Sequence, residues 1–168
     1  MFHDEKGIFL PNTEERMMFY CKGVIETVKK LGWSPEIIHC QGWFSSLIPM
    51  YIKKIFNEDP LFKDTQVIYN VFDTEYQDSI NPVIVEKLLY ENNLEKSDLD
   101  LLRNPTFENL SKFAISYSDA VIQGSENIDK NVLDYMKESE LPFMGYSGEE
   151  DYEDQYNNFF DSLVKEEE

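Results

Sequence analysis

The sequence predicts an α/β fold, an open parallel sheet with helices on both faces. Two observations predict it. Runs rich in β-branched and aromatic residues, at 36–40, 66–72 and 119–123, alternate with segments of helical periodicity. Those runs are apolar on both faces, as strands covered on both sides must be. Crossovers between such strands are right-handed.

The elements follow in order. Asn12, with Glu15 three residues on, predicts a capping box for a first helix. Met17, Cys21, Val24, Ile25, Val28 and Leu31 recur at helical spacing, and Gly32 stands where a C′ glycine ends a helix. Pro35 precedes the first strand, Glu36 to Cys40. A second helix is predicted from Trp43 to Phe56, with Leu47, Ile48, Tyr51, Ile52 and Ile55 on one face. Pro49 lies in its early turns, where proline is tolerated.

The second strand, Gln66 to Phe72, leads to a polar loop over 73–81 and a helix from Pro82 to Tyr90. Ser97 is expected to cap a short helical turn containing Leu99, Leu101 and Leu102. Pro105 and Thr106 open another helix, with Phe107, Leu110, Phe113, Ala114 and Tyr117 at its apolar positions. The third strand is Asp119 to Gln123, and Asp129 caps a helix that runs to Glu138. Pro142 to Tyr146 forms a short fourth strand, and a last helix spans Glu150 to Val164. No repeat or low-complexity linker interrupts the chain, so residues 1–168 are read as one domain.

Composition excludes some functions. Fifteen basic residues against thirty-three acidic ones give a net charge of −18. A field of that sign repels phosphate backbones and anionic lipid, so neither nucleic acid nor a membrane surface is an expected partner. No apolar run approaches the ~18 residues that span a bilayer. The N-terminus lacks the pattern of a secretory signal, and a cytoplasmic location is expected. Cys21 and Cys40 lack metal spacing and sit in apolar settings, so two buried thiols are expected.

No generic catalytic signature is present: GxGxxG, GxxxxGK[ST], GxSxG and HExxH are all missing. The only histidines, His3 and His39, are far apart, and no metal site or cofactor is expected. Candidate site residues come from strand tips, because open α/β sheets bind ligands beyond the carboxyl ends of their strands. His39 ends the first strand, and Gln41 and Gly42 form the turn after it, with Trp43 at the next helix start. His39 either faces a ligand or is hydrogen-bonded inside the sheet edge, and Trp43 either faces a ligand or packs. Gly42 either permits a positive φ or lets a ligand approach. Asp73 and Glu75 follow the second strand, as acid–base carboxylates or as part of a solvated loop. The third tip, QGSENID, offers backbone N–H groups to an anion or only a helix cap.

The run ERMMFYCKGVIETVKKLGWSPEIIHCQGW, then VIYNVFDTEYQ, then AISYSDAVIQGSE resembles the N-terminal catalytic domain of bacterial glycogen synthases and plant starch synthases. The resemblance covers nearly all of the chain. It implies a Rossmann-like part of a two-domain GT-B architecture. It implies retaining transfer of glucose from ADP-glucose or UDP-glucose to an α-1,4-glucan, with the nucleotide-sugar and the glucan as partners. Together with the strand-tip reading, it makes His39, Gln41, Trp43, Asp73, Glu75, Tyr76 and Gln77 the candidate substrate-binding residues.

The departures carry equal weight. The family's first tip reads HxHDWH; here Gln41, Gly42 and Phe44 replace its second His, its Asp and its third His. The second tip reads VHNxxYQG; here Val71, Tyr76 and Gln77 are kept, and Phe72 replaces the His beside the donor glucose. A phenyl ring cannot hydrogen-bond a hydroxyl or steady developing charge as imidazole does. The family's KxGGL segment and its second, nucleotide-binding domain have no counterpart here, which leaves open whether Met1 is the true start. Short family versions end like GYSGEEDYEDQYNNFFDSL, which implies that Glu168 lies at or near a natural terminus.

This chain alone is therefore expected not to transfer glucose efficiently. As an enzyme it is expected to draw its missing parts from an omitted N-terminal segment or from a partner chain supplying a second domain. The alternatives are a non-catalytic protein that binds glucan or a synthase, and a structural remnant without a ligand.

Overall fold

The computed structural model describes residues 9–73, 79–91, 93–148 and 152–164. Helix α1 (Thr13–Leu31) buries Met17, Cys21 and Ile25. Gly32 closes it in the left-handed conformation, φ 63°, and its N–H donates to the Lys29 carbonyl. The expected capping box at Asn12 does not form. Asn12 is itself left-handed, φ 64°, and its side chain caps nothing, because a capping side chain needs extended backbone at that position. The Thr13 hydroxyl instead donates to the Leu10 carbonyl at 2.7 Å.

Four strands, β1 (Ile37–Gln41), β2 (Gln66–Val71), β3 (Ala120–Gln123) and β4 (Phe143–Met144), form one parallel sheet in the order β1-β2-β3-β4. His39 pairs with Ile68, Gln41 with Asn70, and Asn70 with Ile122. Four parallel strands in chain order, joined by right-handed crossovers, put every connection on one face. The core is arranged that way. Cys40, Val67, Tyr69, Val71 and Val121 share a cluster with Met17, Cys21, Leu47, Tyr51, Leu110, Phe113 and Met136.

The opposite face carries Ile68, Ala120 and Ile122. Among the described residues one helix covers it, α6 (Tyr152–Leu163), through Tyr156, Phe159, Phe160 and Leu163. Helices thus flank both faces, but very unequally.

The single helix expected over 43–56 is three short pieces: a 3₁₀ turn Trp43–Ser45, an α-helical turn α2 (Ile48–Met50) and a π-helical turn Tyr51–Ile55. Pro49 offers no N–H to an α-helical ladder running through this stretch. The last piece closes with the Phe56 N–H donating to the Tyr51 carbonyl at 2.9 Å. Helix α3 (Ile84–Leu88) is shorter than expected. The turn expected to be capped by Ser97 is a 3₁₀ stretch, Lys96–Arg103, capped reciprocally by Glu95 and Asp98. Helices α4 (Phe107–Ser116) and α5 (Lys130–Glu138) both begin at a formed side-chain cap, the one at Asp129 as expected. Thr106 Oγ1 accepts from the Asn109 N–H at 3.2 Å, and Asp129 Oδ1 from the Val132 N–H at 2.9 Å.

Cys21 and Cys40 are both buried and unoxidised. Burial pushes the Cys21 thiol up to about 12 and raises that of Cys40 further. Among the described residues, no helix is long and apolar enough to cross a membrane.

Candidate functional site

All four strands point the same way, so the tips of β1, β2 and β3 share one edge of the sheet. They open onto a cleft of about 870 Å³. Each wall has a local origin in the sequence.

At the β1 tip, Gly42 takes φ 69°, a conformation that costs glycine little. Its N–H donates to the Asn70 carbonyl at 3.0 Å, the last bond of the β1–β2 ladder. His39 and Gln41 face the cleft. Gln41 Nε2 lies 3.3 Å from His39 Nδ1. Burial pushes the His39 pKa down to about 4, since a charged ring would lose hydration there. The imidazole is therefore neutral at pH 7. It meets the Phe160 ring at 5.3 Å and the Tyr156 ring at 5.8 Å. His39 is both packed at the sheet and part of the cleft wall.

The β2 and β3 tips are tied together. The Asp73 N–H donates to Ser125 Oγ at 3.2 Å, and the Ser125 hydroxyl lies 3.1 Å from Asp73 Oδ1. Gly124 N–H donates to the Val71 carbonyl at 2.7 Å. Gln123 Nε2 donates to the carbonyls of Ser125 and Glu126, each at 3.0 Å. Behind them Asn70, 1% exposed, donates its amide to the Tyr156 hydroxyl at 2.7 Å. Tyr146, after β4, and Tyr152 of α6 complete the wall.

Of the residues predicted from sequence, the structure brings His39, Gln41 and Asp73 together in this cleft. Trp43 is elsewhere. It is 8% exposed, packed against Phe9 and Phe44 at 5.5 and 5.2 Å, and does not line the cleft. Glu75, Tyr76 and Gln77 lie outside the described residues.

Sequence reasoning missed Asn70, Tyr146, Tyr152 and Tyr156. For Asn70 a signal existed: one amide inside the apolar run QVIYNVF. For the α6 tyrosines it was their four-residue spacing, which puts both on one helix face.

The chemistry of the lining is one-sided. Aromatic rings, amides and carboxylates surround the space, and among the described residues that line it none is Lys or Arg. Such a wall suits a neutral, hydroxyl-rich molecule. A phosphate would lack the cationic forks that normally hold it.

Residues 1–151 match the family model of the starch synthase catalytic domain. The chain belongs to this family. Over 136 residues it is 29% identical to the glycogen synthase of Clostridium perfringens, covering 78% of this chain and 26% of that one. Over 137 residues it is 30% identical to that of Geotalea uraniireducens, covering 80% and 26%. A shorter stretch of 85 residues is 35% identical to the glycogen synthase of Chlorobium luteolum, covering 51% and 17%.

The starch synthase family member described here thus spans about a quarter, or less, of the length of these relatives. Its fold is similar to the catalytic domain of starch synthase IV from Arabidopsis thaliana bound to ADP and acarbose. The TM-score is 0.62 at 16% identity, covering 82% of this chain and 30% of that one. The sheet is the Rossmann-like part of a GT-B synthase N-terminal domain.

Proposed function

We propose that this chain serves α-glucan synthesis by holding the end of an α-1,4-glucan in the cleft at the β1, β2 and β3 tips. In this reading it is the glucan-binding part of a glucosyltransferase site, and by itself it does not transfer glucose from ADP-glucose or UDP-glucose. The observation that carries the reading is the lining of rings, amides and carboxylates without a Lys or Arg among the described residues. Aromatic faces take the apolar side of a pyranose, and the polar groups fix its hydroxyls. A nucleotide diphosphate would need cations from elsewhere, which a partner chain with a second domain would supply.

The second reading, a non-catalytic protein that binds glucan or a synthase, is favoured by Phe72. Its ring lines the cleft where the family carries an imidazole. It can supply neither a hydrogen bond nor charge stabilisation to a transferring glucosyl group.

The test has two arms. Calorimetry with maltoheptaose is expected to show binding that changes little between low and high salt, since no ion pair is made. Labelled ADP-glucose or UDP-glucose with a glycogen primer is expected to give no incorporation. Incorporation that disappears in His39→Ala would overturn the claim that the chain is inactive alone. Absence of maltoheptaose binding, or displacement of bound maltoheptaose by ADP, would overturn the glucan assignment of the cleft.

A further inference from the structure

The face of the sheet covered by α6 contains more than apolar residues. Ile68, Ala120 and Ile122 are fully buried there. On the same face, at the cleft end, His39 Nε2 and Asn70 Oδ1 are buried with no hydrogen-bond partner. Both residues sit directly against α6. The His39 ring meets Tyr156 at a tilt and Phe160 edge-to-face, and the Asn70 amide nitrogen reaches the Tyr156 hydroxyl. Register makes them diagonal neighbours on adjacent strands, since His39 pairs with Ile68 and Asn70 lies two residues on.

The two atoms are a donor and an acceptor. Gln41 Nε2 can only donate, so His39 Nδ1 accepts and the ring proton sits on Nε2. Asn70 Oδ1 can only accept. Covering a donor and an acceptor without partners costs free energy, because both lose water and gain nothing. A sugar hydroxyl has both capacities: its oxygen can accept from the imidazole, and its proton can go to the amide oxygen.

The cover itself is light. No residue of α6 is fully buried, although α6 is what closes this face. Tyr152 and Tyr156 of α6 also line the open cleft, so the cleft and the covered strip are continuous.

We propose that the strip of sheet beneath α6 is a covered extension of the cleft, and that α6 moves aside when a neutral, hydroxyl-rich chain extends along it to pair with His39 and Asn70. The proposal rests on the glucan reading of the same cleft. Phe160 is the residue that separates the two ideas. It meets His39 edge-to-face but does not line the open cleft.

The experiment is hydrogen exchange of the whole chain with and without maltoheptaose, on the native protein and on Phe160→Ala and Tyr156→Phe. On ligand binding, the α6 amides are expected to exchange at least fivefold faster, while β1 and β2 slow. Phe160→Ala, whose cover is weakened, is expected to bind maltoheptaose at least fivefold tighter. Tyr156→Phe, which keeps the ring and frees the Asn70 amide, keeps the test usable where the alanine variant does not fold, with the same direction expected for α6 exchange.

Binding with α6 exchange unchanged or slowed would overturn the cover while leaving the glucan reading intact. Binding by Phe160→Ala alone would overturn the glucan reading of the native chain while upholding the cover, with α6 acting as a block. Where no protein binds maltoheptaose, the glucan reading falls. The ligand-free exchange then decides the cover: α6 protected as strongly as β2 overturns it, and α6 opening well before β2 upholds it.

Discussion

The Asn70 side chain occupies the space that a side chain at Gly124 would need. A Cβ built on Gly124 collides with Asn70 Oδ1 and comes within 2.8 Å of the Phe72 ring. Glycine at the β3 tip is thus required by close approach, and that approach brings Asn70 and Phe72 to the floor of the cleft.

Gly124→Ala is expected to cost about 1–3 kcal/mol, the usual range for overpacking a tight site. Urea denaturation would show it as a lower midpoint at unchanged slope. In an Asn70→Ala background the cost should fall by more than half, because the colliding oxygen is gone. Equal costs in both backgrounds would argue that the contact plays no part.

His39 predicts a pH dependence. Its folded pKa is about 4, against an ordinary value of 6.5. Between those values the unfolded chain binds a proton that the folded chain does not, so stability falls as pH drops from 6.5 to 4 and levels off below. The loss has an upper bound of about 3 kcal/mol. Carboxylates titrate in the same window, so the readout is the difference in pH slope between native protein and His39→Phe. Identical slopes would contradict the assignment of a neutral, buried imidazole.

Asp119 staples the start of β3 to its neighbours. One carboxylate oxygen accepts from the Val67 N–H at 2.7 Å and meets Lys53 Nζ at 2.6 Å. Asp119→Ala removes both contacts and is expected to cost about 2 kcal/mol, in the range for a charge-assisted hydrogen bond. Asp119→Asn keeps an acceptor for Val67 and loses a partly exposed ion pair, which is worth under about 1 kcal/mol. Chemical denaturation of the two variants would reveal the difference.

The helix starts predict an ordering. Asp129→Ala and Thr106→Ala each remove a cap that is formed and are expected to cost about 1 kcal/mol. Asn12→Gly removes a side chain that caps nothing from a left-handed position, and should be neutral or slightly stabilising. Thermal melts that rank Asn12→Gly with the two cap variants would contradict the α1 terminus described above.

These contrasts also mark what can be seen in the sequence. Thr106 and Asp129 are legible as caps because a cap is a local, three-residue arrangement. Asn12 has the same composition, but the chain enters α1 through a left-handed residue, and no local pattern announces that. The strands are legible from their β-branched runs. Their order is not, because it depends on which runs meet from positions remote in sequence; Ile37 pairs with Gln66 and Ile68 with Ala120.

The unequal helix layers follow from that order and were equally hidden. At the site, His39, Gln41 and Asp73 could be found because strand tips have a general role. Tyr156 was harder to find: its spacing from Tyr152 marks a helix face, but its part in the cleft depends on α6 crossing back over β1 and β2. Trp43 looked like a tip residue by position, yet the turn at Gly42 carries it into the core beside Phe9.

The two buried cysteines make the folded state chemically silent. Alkylating reagents attack thiolates, and burial holds both thiols protonated at neutral pH. Modification of Cys21 or Cys40 therefore has to wait for the chain to open. Its rate is a clock for unfolding, read without an added probe, and Cys21 in α1 and Cys40 in β1 report whether helix and sheet open together.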